Sequence, residues 1–181
     1  MLKIVVEGGE VWDEKKREFG IIPKTTLRLE HSLLSISKWE EKWKKPYLDN
    51  HTEKTPEEQL DYIRCMSIDS GVDPSVYLML TPAHLQQIHD YIEDPHTATT
   101  FHEEEHGPKN RSIMTAELIY WQMFELKIPL EFEKRHFNKL MTLIRVCAIK
   151  NSPPKKRNKS KAAAWRHELN RKRRAELGTS G

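Results

Sequence analysis

Glycine is scarce in this chain, and cysteine scarcer. Only seven glycines occur in 181 residues, mostly at turns or the terminus, and none falls in a G-x-x-x-x-G-K or G-x-G-x-x-G pattern. The loops that cradle nucleotide phosphates on closely approaching backbone amides are therefore missing. The two cysteines, Cys65 and Cys147, lie far apart, each within an apolar, helix-like stretch. That excludes a framework of disulfide staples and fits a reducing compartment, with both thiols expected as buried small hydrophobes. No run reaches the ~18 consecutive apolar residues of a membrane span. The opening "MLKIVVEGGE" also lacks the apolar run of a signal peptide. A soluble, intracellular protein without membrane association is expected. Nothing marks a nucleophile elbow or an activated thiol, and the chain reads as a non-enzyme without cofactor.

What is present is charge, unevenly placed. Apolar residues make up 37% of the chain and charged residues 31%; five Trp, five Tyr and five Phe suffice for one core with little surplus. Residues 151–181 hold ten Lys/Arg against two Asp/Glu, whereas residues 1–150 hold twenty against twenty-five. The net +3 thus conceals a mildly acidic body joined to a strongly basic tail. "NSPPKKRNKSK" (151–161) marks the boundary, because two prolines end a helix and the polar run after them can bury nothing. The expected organisation is a globular, mostly helical domain over 1–150 and a basic, flexible or weakly helical tail over 151–181.

Local patterns give the body its class: α+β, predominantly α-helical. "LKIVV" (2–6) is short and β-branched and is followed by Gly8-Gly9; "TTLRLEH" (25–31) alternates, with Leu27 and Leu29 on one face. These predict a short N-terminal β-hairpin across a polar connection at 13–20. Helices follow. Ile36, Trp39 and Trp43 share a stripe before Pro46, and Thr55, Pro56 and Glu58 form a capping box. Asp73-Pro74 and Thr81-Pro82 repeat the cap-then-proline device. "SIMTAELIYWQMFEL" (112–126) is apolar almost all round, which predicts a central helix. The stretch after Pro129 sets Phe137, Leu140, Met141 and Ile144 at helical spacing. An antiparallel core pair at about 113–126 and 130–149 is expected.

One motif invites a catalytic reading. "FHEEEHG" (101–107) satisfies H-E-x-x-H, in which two histidines four residues apart on a helix bind zinc and the glutamate acts as base. Here strand-prone Thr and Phe residues precede His102, Gly107-Pro108 follows His106, and three glutamates replace the apolar face such a helix buries. No third ligand is evident. A solvated acidic loop is the expected state, with no metal site. His136, beside Arg135 on a helix, is expected as a boundary residue rather than a ligand.

The basic tail is the strongest feature. Lys155, Lys156 and Arg157, then Arg171, Lys172, Arg173 and Arg174, can neutralise phosphates or face an acidic protein surface. Trp165 can stack on a base or pin a helix to the body. In the body, Trp39 and Trp43 are contact candidates, although burial of both rings in the core is the favoured alternative.

"LEHSLLSISKWEEKWKKPYL", "EEQLDYIRCM", "TAELIYWQMFELKIPLEFEKRHFNKLMTLIRVC" and "IKNSPPKKR" together resemble a family of small proteins encoded by tailed bacteriophages. The resemblance covers nearly the whole chain. It implies virion morphogenesis, foremost a tail assembly chaperone, helix-rich and non-enzymatic, that coats the tape-measure protein and recruits tail-tube subunits in the host cytoplasm. The alternatives are a component retained in the virion (tail, baseplate or head-tail connector) and a nucleic-acid-binding protein acting through the tail. No catalytic residues come with it.

Overall fold

Alternating burial builds the N-terminal ribbon. β1 (Leu2–Val6) turns Ile4 and Val6 inward, and β4 (Thr25–Leu29) does the same with Leu27 and Leu29. The computed structural model describes residues 1–13, 18–49, 51, 53–101, 113–152 and 159–178. β1 pairs antiparallel with β4, and β2 (Gly9–Asp13) with β3 (Glu18–Ile22). Val6 lies opposite Thr25 and Gly9 opposite Ile22, so both pairs keep one register and form halves of a single long hairpin. The ladder breaks where Gly8 faces Pro23, which has no N–H to give. A Cβ on Gly8 would sit 2.7 Å from the Ile22 carbonyl oxygen and 2.9 Å from the Lys24 nitrogen, so only glycine fits. Lys24 Nζ meets Glu7 Oε1 at 2.8 Å across the break. The polar connection expected at 13–20 is therefore shorter. Trp12, Phe19 and Ile21 carry strand propensity that continues the pairing to Asp13 and resumes it at Glu18.

Helices cover one side of the ribbon. α1 (Leu33–Trp43) is capped by Ser32, whose oxygen accepts from the Ser35 amide at 3.2 Å. α2 (Pro56–Met66) carries the expected capping box: Thr55 accepts from the Glu58 amide, and Glu58 accepts from the Thr55 amide at 2.8 Å. A 3-10 turn (Pro74–Met79) and α3 (Pro82–Glu93) begin at the two predicted cap-proline pairs. α4 (Ala116–Glu125) and α5 (Phe137–Asn151) are separated by a second 3-10 turn, Leu130–Lys134, so the second helix of the expected pair starts later than 130. α1 organises the core, with α2, α4 and the second 3-10 turn packed on it. α4 thus makes its main contact with α1 rather than pairing with α5. Leu33, Ile36 and Trp39 of α1, Ile119 and Met123 of α4, and Leu140 of α5 are all fully buried.

Residues 1–148 and 149–181 are separate compact units. In the second, α6 (Lys159–Leu177) is a 19-residue helix. The stretch carrying His102 and His106 lies outside the described residues.

Candidate protein-docking face

α4 is held at its start by a side chain from another helix. Thr115 makes no side-chain cap bond. Instead Glu40 of α1, which is buried, accepts from the Ala116 amide through Oε2 and from the Tyr47 amide through Oε1, each at 2.8 Å. The far end closes through Lys127 in the left-handed region (φ 56°) and the Ile128 amide donating to the Met123 carbonyl at 2.8 Å. Tyr120 adds a lateral tie, its hydroxyl donating to Glu133 at 2.9 Å. The helix is hydrogen-bonded at both ends, with Ala116, Ile119 and Met123 inward.

Its outer arc is open. Leu118 is 44% exposed, Trp121 61% and Phe124 66%. At ~100° per residue these three share one face with Glu117 and Glu125, and Trp121 lies at its centre. An aromatic side chain offers roughly 150–250 Å², so the three expose on the order of 300 Å² of apolar surface, the size of the largest patch on an ordinary monomer and often a functional one. Covering it would contribute ~7 kcal/mol gross, before the costs of association. The central helix expected from all-round apolarity is thus half covered. None of the segments outside the described residues (14–17, 50, 52, 102–112, 153–158, 179–181) contains a large apolar residue to complete the cover.

A second apolar patch lies on the outer half of the hairpin. Trp12 and Phe19 are cross-strand partners with ring centroids 5.0 Å apart, and both are exposed, as is Ile21.

The sequence candidates fare differently. Trp39 is 1% exposed and its Nε1 donates to the Glu58 carbonyl at 2.8 Å; Trp43 is half-buried and donates to Asp61 at 2.9 Å. Burial, the favoured alternative, is what the structure has: α1 packs against both α2 and α4, Trp39 is core and Trp43 is packed against it, which leaves Trp39 unsuited to the contact role. Lys155, Lys156 and Arg157 lie outside the described residues. Trp165, Arg171, Lys172, Arg173 and Arg174 are exposed on α6, with Arg171 paired to Glu168 at 2.8 Å. Leu118, Trp121 and Phe124 were missed as contacts, because periodicity reports apolarity and not whether a neighbour covers it.

The chemical residues of the interior are tied into packing. His31 Nδ1 and the Tyr62 hydroxyl are 2.5 Å apart, and His136 Nε2 meets the Tyr91 carbonyl at 3.1 Å. The two imidazole centroids lie 5.3 Å apart. Burial, reinforced by His136, holds His31 down at about 3, and burial also lowers His136. His136 is therefore an interior residue rather than a boundary one. Cys65 and Cys147 are free and half-buried, and burial pushes the Cys65 thiol up to about 11, far from a nucleophilic thiolate. Among the described residues, no group of three or more His, Cys, Asp or Glu is placed to hold a metal ion. A cleft of about 450 Å³ between α1 and the start of α4 is lined by Ser37, Glu41, Lys44 and Thr115 among others, with no histidine or cysteine among its described residues. No described helix is long and apolar enough to cross a membrane.

No family model, no curated protein and no solved structure matches the chain.

Proposed function

We propose that this is a non-enzymatic bacteriophage assembly protein that works by binding other proteins, foremost as a tail assembly chaperone acting on tape-measure and tail-tube proteins in the host cytoplasm. The observation that carries the reading is the open face of α4, where Leu118, Trp121 and Phe124 stand in solvent on a helix clamped at both ends. Apolar surface presented on a helix already formed and hydrogen-bonded at both ends reduces the ordering that binding must bring about, which favours association. The resemblance of the chain to small phage morphogenesis proteins supplies the biological setting. Coexpression with the tail-tube and tape-measure proteins of the same phage tests it: one of them copurifies with this protein. Recovery with portal or capsid components instead would move the protein elsewhere in the particle, as a virion component.

The exposed cations of α6 favour a second reading, contact with nucleic acid. Phosphate contacts release counterions, so affinity would fall by orders of magnitude between ~50 and ~200 mM salt. A shallow salt dependence would leave α6 as a protein-binding arm.

A further inference from the structure

α4 carries two glutamates and no basic residue. Glu117 and Glu125 lie four residues before and four after Trp121, ~40° to either side of it on the face and about 12 Å apart along the axis at 1.5 Å per residue. Both are exposed, and among the described residues neither joins an ion pair. Lys44 shares the neighbouring cleft with Glu117, and Lys127 follows Glu125 at the helix end. Glu125 stands in the last turn, where the helix dipole disfavours a carboxylate. For its own helix it is the wrong charge in that place; opposite a partner's cation it is the right one.

The same geometry bears on a second copy. Two α4 faces packed antiparallel about Trp121 would set Glu117 against Glu125 twice, and packed in parallel would set each glutamate against itself. Either arrangement opposes like charges at both ends of the contact.

We infer that the α4 face receives a cationic amphipathic helix of a partner protein, with Arg or Lys residues seven or eight positions apart flanking apolar residues that cover Trp121. The spacing follows from the glutamates: two turns of a facing helix place two cations over two carboxylates. The apolar centre supplies adhesion and the acidic ends select register and partner. This inference rests on the docking reading above and adds the chemistry of the occupant.

Two fluorescently labelled synthetic helical peptides test it by anisotropy against the full chain. They share one leucine face and differ only in two flanking positions seven apart, Arg in one and Glu in the other. The Arg peptide should bind at least tenfold tighter, and Glu117→Lys with Glu125→Lys should invert the preference. The milder Glu117→Gln, Glu125→Gln pair should abolish it. Equal binding of both peptides would overturn the inference while leaving an apolar docking face in place. Binding of neither, or preferences untouched by the variants, would also overturn it. So would self-association of the chain through this face, seen by sedimentation and lost in Trp121→Glu. The docking reading itself fails separately, if Trp121→Glu leaves copurification of the assembly partner intact.

Discussion

Glu40 performs at long range what a helix cap usually performs locally. Its two oxygens accept from the amide of Tyr47, just beyond its own helix, and from that of Ala116, far along the sequence. Removing the carboxylate in Glu40→Ala leaves buried donors without partners, each at ~1–3 kcal/mol, and a loss of ~2–4 kcal/mol in urea unfolding is expected. Glu40→Gln, which keeps one acceptor, should lose less. The buried histidines set a pH dependence. Unfolded, an imidazole takes its proton near 6.5; folded, His31 resists until about 3. Below pH 6.5 the unfolded chain binds more protons, so stability falls as pH falls, by ~2 kcal/mol at pH 5 from His31 alone. A chain whose unfolding midpoint stays flat between pH 7 and 5 would contradict the burial of His31. Little of this was legible beforehand. The partners of Glu40 and His31 come from other elements, and a sequence does not display them.

Elements were more legible, and the reason is local chemistry. Thr55, Asp73 and Thr81 each precede a proline and each cap a helical turn, because cap and φ preference act within four residues. The hairpin was visible in its inner half, where alternation follows burial, and was missed in its outer half, where Trp12 and Phe19 face solvent. The break between the halves depends on Gly8. Gly8→Ala would drive a methyl into the backbone of Ile22 and Lys24, and should cost ~1–3 kcal/mol; a null effect on thermal unfolding would show that the two halves separate freely. α4 shows the limit of pattern reading. Its composition says buried all round, yet its neighbours cover only one side, and the uncovered side became the candidate site.

At the scale of the whole molecule, an acidic body is followed by a basic helical unit. On α6, Trp165 is 66% exposed and Leu177 74%, so the arm offers its own unit little apolar cover. Deleting residues 152–181 should shift the melting temperature of the remainder by less than ~2 °C; a fall of ten degrees would show that the tail stabilises the body. The charge division was plain in the sequence, since it needs only counting. The candidate docking surface was not, since of the two tryptophans first in view Trp39 belongs to the core and Trp43 is packed against it. The central claim is that the open face of α4 is where this protein binds its partner. The most direct measurement pairs full-length wild type with Trp121→Glu, Phe124→Glu in coexpression with the tail-tube and tape-measure proteins, following copurification and melting temperature together. Both side chains are exposed, so the variant should keep its stability within ~1 kcal/mol while losing the partner. A variant that is equally stable and still brings the partner down in full would contradict the account.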